Sequence, residues 1–291
     1  MPRVLCAGHV NWDVTLFVDR LPGPDGESRV RERRQSGGGS AANVAAALAG
    51  LDCAATLLGS VGDDEQGHLA RRDLRAADVD TTGLLTAEGE TTTKYLLVDD
   101  DGEVSVLGAE GVNEAVTPDD VDPVLVRAAD HVHLTAQRRE TAEYVADIAT
   151  EAEIPVSFDP GRRAADRDYD AVVDRADVLF LNEREATALG DCPDDRQTVT
   201  KYGTRGATLE TADDFYGHPG FDLPDTDATG AGDAFAAGFL ASRLCGDEPA
   251  RSLAVGNACG ALAARERGPK AGLTWEAVDR VLDGEAPETE S

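Results

Sequence analysis

The sequence predicts a doubly wound α/β fold: a mostly parallel sheet flanked by helices, with a small β-sheet beside it. Three observations carry this. Short apolar runs alternate with helical patterns over the first two thirds of the chain. The last third holds three consecutive helical patterns. Two separated segments alternate instead like half-exposed strands.

Taken in order, residues 3–8 form the first apolar run and read as a buried strand. Residues 12–19 and 28–35 alternate apolar and polar side chains, as strands with one wet face do. A helical pattern over 40–50 and an apolar strand over 54–61 resume the main rhythm, followed by a helix over 65–77. Residues 91–99 and 103–108 alternate again, and Asp100-Asp101-Gly102 between them is a tight hairpin turn. Strands over 131–135, 155–159, 178–182 and 198–202 then interleave with helices over 140–151 and 168–176. Residues 231–244, 249–265 and 275–282 close the fold as helices, and the acidic tail from 284 is expected to fray. The organisation expected is one α/β domain over 1–291. Its small sheet is assembled from 12–36 and 89–110, and is read either as a lid or as ordinary surface hairpins.

The chain of 291 residues carries 56 acidic and 27 basic side chains, a formal net charge of −29. That balance excludes a general nucleic-acid binder, which must neutralise phosphates with Lys and Arg. It argues equally against docking on an anionic membrane. Only three lysines stand against 24 arginines. Strong acidity with scarce lysine fits a cytosol of high ionic strength, where salt screens self-repulsion; a merely acidic mesophilic protein is the alternative. The five cysteines form no C-x-x-C pair, so neither a disulfide framework nor a zinc knuckle is expected. Cys6, Cys53 and Cys259 have apolar neighbours and read as small buried hydrophobes. The N-terminus has no signal-peptide apolar region and no run approaches a membrane span. A soluble, cytoplasmic protein is expected.

Two glycine-rich segments bear on chemistry. Asp227-Ala228-Thr229-Gly230-Ala231-Gly232-Asp233 precedes and enters the helix over 231–244. Glycines at a helix start let backbone N–H groups approach an anion, and the helix dipole adds partial positive charge. Asp233 would then lie beside a bound phosphate as a base for an incoming hydroxyl. The other reading is a glycine-rich turn in which Asp233 stabilises the first helical turn. Gly37-Gly38-Gly39-Ser40-Ala41-Ala42-Asn43 leads into the helix over 40–50. It suits close approach to a polyhydroxylated ligand, with Asn43 as donor and acceptor, or else a flexible loop before a helix. A dinucleotide fingerprint after the first strand and a P-loop are both absent from the sequence.

In their order, and about 190 residues apart, these segments resemble the two signatures of the ribokinase/PfkB family of carbohydrate kinases. Gly8-His9-Val10-Asn11-Trp12-Asp13, Asn182-x-x-Glu185 and Gly203-x-x-Gly206 extend the resemblance over essentially the whole chain. The resemblance implies a ribokinase-like fold and ATP-dependent phosphorylation of a hydroxyl on a sugar or a nucleoside; a non-catalytic sugar-binding regulator is the non-enzyme alternative. It implies Asp233 as catalytic base and Gly230, Ala231 and Gly232 as an anion hole. Asn11, Asp13, Gly38, Gly39 and Asn43 are implied as ligands of the substrate hydroxyls. Asn182, Gly203, Gly206, Thr229 and Asn257 are implied on the nucleotide side, where Lys201 is a further candidate, with Glu185 organising Mg²⁺ through water. On a helix start, the spacing of Asn182 and Glu185 would put both on one face. Some relatives also bind K⁺, here near Asp227, Thr229 and 267–271, and relatives often pair as homodimers through their lids. Gly111-Val112-Asn113 is similar to a family stretch leaving the lid, as hinge or substrate contact.

The chain departs from the pattern at Ala228, where a hydroxyl residue is usual, and at Lys201, which is either a phosphate-binding charge or solvated. Gln137, Arg138 and Arg139 follow a core strand and read either as acidic-sugar ligands or as helix-entry charges.

Overall fold

In strand β1 (Arg3–Ala7) Val4 and Cys6 pack into one hydrophobic core, and Leu5 and Ala7 into another on the opposite face. Such two-sided burial is what a parallel strand with helices on both faces demands. The computed structural model describes residues 1–165, 167–189, 196–223, 230–265 and 273–284. From β1 the chain leaves the main sheet through β2 (Asn11–Val18) and β3 (Val30–Gly38). It returns by α1 (Ser40–Gly50), β4 (Ala54–Gly62), α2 (Glu65–Ala76) and β5 (Leu84–Ala87). A second excursion, β6 (Thr93–Val98) and β7 (Val104–Ala109), precedes α3 (Pro123–Arg127). Then follow β8 (His131–Thr135), α4 (Arg139–Glu151), β9 (Val156–Asp159), α5 (Asp170–Val173), β10 (Val178–Asn182) and α6 (Glu183–Leu189). Strands β11 (Gln197–Lys201), β12 (Ala207–Glu210) and β13 (Phe215–His218) lead to α7 (Ala231–Leu244), α8 (Pro249–Arg265) and α9 (Trp275–Leu282).

The main sheet runs β13-β12-β11-β10-β9-β8-β1-β4-β5, parallel except at β12 and β13. The chain reverses its direction of winding beside β1. In open α/β sheets the crevice at such a point, outside the carboxyl ends of the strands, is where ligands bind. The four strands of the two excursions form a separate sheet, β3-β2-β6-β7, with β2 and β6 parallel. The β6–β7 turn is closed by Asp99, whose Oδ1 accepts from the N–H groups of Asp101 and Glu103, with Gly102 at φ 80°. Among the described residues no helix is long and apolar enough to cross a membrane.

Helices α1 and α7 are rich in Ala and Gly, which lets backbones approach. Gly238 of α7 faces α8 so closely that an added Cβ would lie 2.4 Å from Cys259 Sγ. Cys6, Cys53 and Cys259 are buried and unpaired by disulfides, as small hydrophobes would be. Several elements differ from the sequence expectation, the short helix α3 among them. Helix α5 is shorter than 168–176, because Asp168 Oδ1 accepts from Asp170 N–H and holds the entry in a turn. The strand β5 and the antiparallel edge β12–β13 have only four residues each, too few for a readable alternation.

Candidate active site

Three strands deliver their last residues to one rim. Asp159 ends β9, Asn182 ends β10 and Lys201 ends β11. Asn182 and Lys201 are register partners, and Lys201 Nζ donates to Asp159 Oδ2 at 2.6 Å. Lys201 is therefore neither solvated nor aimed alone at a ligand. Burial works against its charge, yet Asp159 more than compensates and its pKa is raised. The expectation that Asn182 and Glu185 share a helix face is corrected here. Asn182 stays in the strand and caps α6: its Oδ1 accepts from the N–H groups of Arg184 and Glu185, while Glu185 Oε2 accepts from Asn182 N–H at 2.8 Å. This reciprocal cap fixes a buried carboxylate. Burial, then the charge of Asp159, raise the Glu185 pKa. Two crowded carboxylates of this kind suit a cation. Mg²⁺ binds typically through one or two carboxylates plus waters and phosphates. No group of three His, Cys, Asp or Glu ligands is assembled among the described residues.

Opposite this rim stands the N-terminus of α7. Gly230 is its N-cap in the left-handed region, at φ 80°, and no side chain of the described residues caps the end. Gly230, Ala231, Gly232 and Asp233 are all partly exposed, so the first-turn amides open onto solvent rather than into the core. Asp233 Oδ2 accepts from Asn43 Nδ2 of α1 at 2.8 Å. Burial, offset in part by that hydrogen bond, lifts the Asp233 pKa to about 6. A carboxyl near neutrality suits proton transfer. Asn43 Oδ1 is buried with no hydrogen-bond partner among the described residues, which marks it as an acceptor kept for a ligand.

The small sheet supplies the far wall. Asn11 and Asp13 are buried on β2, and Gly38 pairs with Asn11 across the β2–β3 ladder. The Asp13 carboxylate presses on the glycine loop: a Cβ at Gly38 would lie 2.1 Å from Asp13 Oδ2. At Gly39, φ is 99° and a Cβ would lie 2.4 Å from His9 carbonyl oxygen. Gly38→Ala is thus expected to push Asp13 aside. Binding of a polyhydroxylated ligand should weaken roughly 10-fold or more, the scale of a charge-assisted hydrogen bond; unchanged binding would refute this reading of Asp13.

These groups line one cleft of about 1040 Å³, which contains Asp13, Gly39, Asn43, Asn182, Glu185, Lys201, Gly230, Gly232 and Asp233. A smaller cavity of about 120 Å³ adjoins it through Lys201 and Gly232, and is lined by Gly203, Gly206, Phe235 and Asn257. Gly203 and Gly206 have φ of 62° and 85°. Asn257 lines the cavity, but its Nδ2 donates within α8 to Leu253 carbonyl oxygen at 2.8 Å. Asp227, Ala228, Thr229 and 267–271, the region of the expected monovalent-cation site, lie outside the described residues.

Among the charged and titratable cleft residues that sequence reasoning did not assign are His9, Lys94, Glu114, Asp159 and Arg167. Glu114 binds His9 Nε2 at 2.8 Å and Arg167 Nη2 at 2.8 Å. His9 lies inside a segment that was singled out and Glu114 adjoins one, but nothing local marks Arg167, which arrives from a distant loop. Gln137, Arg138 and Arg139 are engaged elsewhere. Gln137 is buried and donates to Ala7 carbonyl oxygen, Arg138 to Glu114 carbonyl oxygen, and Arg139 pairs with Glu143 and Asp168.

Comparison with known proteins bears on the family and the fold. The family model described as "pfkB family carbohydrate kinase" matches residues 1–276. An ATP-dependent ribose-1-phosphate kinase of Halopiger xanaduensis is 57% identical over 97% of this chain and 98% of its own. A nucleoside kinase of Methanothermobacter thermautotrophicus is 26% identical over 95% of this chain and 94% of its own. Among solved structures, a putative ribokinase from Agrobacterium tumefaciens has a TM-score of 0.88 at 21% identity, covering 97% of this chain and 98% of that one. Arabidopsis thaliana ribokinase complexed with ribose and ATP has a TM-score of 0.84 at 23% identity, with the same coverages.

Proposed function

The chain belongs to the pfkB family of carbohydrate kinases, and on that premise we propose that it uses ATP to phosphorylate a free hydroxyl of ribose-1-phosphate. It is an ATP-dependent kinase acting on a sugar hydroxyl. The acceptor is the proposal, and the full-length 57% identity to a ribose-1-phosphate kinase carries it.

In this reading Asp13, Asn11, Asn43 and the Gly38-Gly39 loop hold the acceptor. The acceptor oxygen attacks the γ-phosphorus, the bond to the β-phosphate oxygen breaks, ADP leaves, and the hydroxyl proton passes to Asp233. The first-turn amides at Gly230, Ala231 and Gly232 hold the charge that builds on the transferring group. Glu185 would hold hydrated Mg²⁺, which neutralises phosphate charge when bound. The ATP phosphates lie beside Lys201 and Asn182, and the nucleoside lies toward Gly203, Gly206 and Asn257. The small sheet acts as a lid that excludes water. A pair of chains joined through it completes the proposal, supported by Tyr95 and Leu107, exposed cross-strand partners. A cytosol rich in KCl suits the net charge of −29.

One set of measurements tests this. ATP consumption over ribose, fructose, fructose phosphates, 2-keto-3-deoxygluconate, ribose-1-phosphate and nucleosides, in graded KCl, is expected to select ribose-1-phosphate. Phosphorus NMR should then show a pentose bisphosphate, and activity should climb with KCl. Selection of an unphosphorylated acceptor would refute the substrate; a flat salt response would refute the halophilic reading. Sedimentation in the same buffers should give a dimer, and a monomer would remove that part.

A further inference from the structure

We infer that Lys94 of the lid and Arg167 of the base form the seat for the phosphate that the acceptor already carries. This rests on the ribose-1-phosphate reading and adds to it the residues that would tell a sugar phosphate from a plain sugar.

Four Lys or Arg side chains line the cleft, against six carboxylates. Lys201 is spent on Asp159 at the nucleotide rim, and Arg162 is exposed at the mouth. Lys94 and Arg167 remain, and both belong to the acceptor side. Lys94 is the register partner of Asp13 across the parallel β2–β6 pair, so the two project from the same face of the lid. The Asn11 carboxamide lies 3.0 Å from Lys94 Nζ and accepts from it when its oxygen faces the ammonium. At its other end Asn11 lies 3.0 Å from the Asn113 carboxamide. The next residue, Glu114, holds Arg167 and His9. A continuous polar path therefore runs from Lys94 through Asn11 and Asn113 to Glu114 and Arg167, wrapping the end of the cleft where Asp13 sits.

Hydroxyl groups alone would not call for this. A carboxylate and two carboxamides already serve them. Two cations facing the same end are matched by a dianion. Arg167 is preset for it: Nη1 donates to Gln137 carbonyl oxygen at 2.6 Å and Nη2 to Glu114 at 2.8 Å. A guanidinium has five N–H donors, more than these contacts use, and its planar fork suits phosphate. Glu114 stays ionised despite its burial, because His9 and Arg167 hold its pKa down to about 2. It is thus a permanent brace that fixes Arg167 in place.

The test is calorimetric binding of ribose-1-phosphate and of ribose without ATP, followed by steady-state kinetics, on wild type, Lys94→Gln, Arg167→Gln and the charge-keeping Arg167→Lys. Each neutral variant is expected to weaken ribose-1-phosphate binding, and raise its KM, roughly 10- to 100-fold. Ribose binding and the KM for ATP should stay within about twofold, and Arg167→Lys should recover part of the loss. Lys94 is exposed on a lid strand, so its variant keeps the test readable should Arg167→Gln not fold. Wild-type affinity for ribose-1-phosphate in both neutral variants overturns this inference and leaves the substrate standing. Wild-type protein that binds ribose-1-phosphate no better than ribose overturns both.

Discussion

Replacing Asp233 by Asn lowers kcat by at least about 10²-fold, the usual contribution of a positioned general base. The substitution keeps the shape and a partner for Asn43, which donates to Asp233 Oδ2 at 2.8 Å. Only the capacity to take a proton is lost. Burial raises the Asp233 pKa to about 6, so in the free enzyme the carboxylate is protonated below that pH. The kcat/KM of wild type should fall as pH drops through about 6 and level off above it; the Asn variant should show no such limb. Stability separates this effect from misfolding. A carboxyl whose folded pKa is raised above its unfolded value of 3.8 loses stability as pH climbs from the lower value to the higher. The neutral carboxamide of Asp233→Asn removes that loss, so the melting temperature of this variant at neutral pH should match or exceed that of wild type. A folded variant that turns over at wild-type speed would remove Asp233 from its assigned role.

Lys201→Met gives the second large effect, on stability and activity together. The Lys201 and Asp159 side chains retain only 14% and 12% of their exposure and meet at 2.6 Å. Removing one member of such a pair strands the other charge and destabilises by about 3 kcal/mol or more. Glu185 and Asp233 also feel the ammonium, so its loss leaves three carboxylates facing one another. The Asp233 pKa should then move above 6, carrying the acid limb of kcat/KM to higher pH. Adding Asp159→Leu should restore much of the melting temperature, because no lone charge remains, and should draw the acid limb back. It should not restore activity if the pair also seats the ATP phosphates. Calorimetric melting with a pH–rate profile on the single and double variants reads all of this. A single variant as stable as wild type, with an unmoved acid limb, would contradict the account.

Much of this arrangement was legible in the sequence. The helices at Ser40–Gly50, Ala231–Leu244, Pro249–Arg265 and Trp275–Leu282 agree with their expected bounds, because each follows a clear break: a glycine before the first two, Pro249 at the head of the third and the capping Thr274 before the last. The two-sided apolar runs made the central strands equally plain. The glycine segments identified Asp233 and Asn43 because their chemistry is written in consecutive residues. What stayed hidden depends on distance. The reciprocal cap between Asn182 and Glu185 mimics a shared helix face in sequence spacing, yet Asn182 ends a strand. The pairing of Lys201 with Asp159 joins residues 42 apart, and Arg167 meets Glu114 across 53. Register decides Lys94: only the parallel alignment of β6 against β2 brings it beside Asp13. The four-residue strands β5, β12 and β13 carry too few alternations to declare themselves.

The most direct measurement is a single-turnover experiment with enzyme in excess over ribose-1-phosphate and saturating ATP, followed across the acid range in wild type and Asp233→Asn. In wild type, formation of the bisphosphate should accelerate with pH in a single ionisation and then plateau, while the variant stays slow and flat throughout. Matching pH profiles in the two proteins, or a burst of product from the variant at the rate of wild type, would contradict proton transfer to Asp233 at the mouth of the α7 amides.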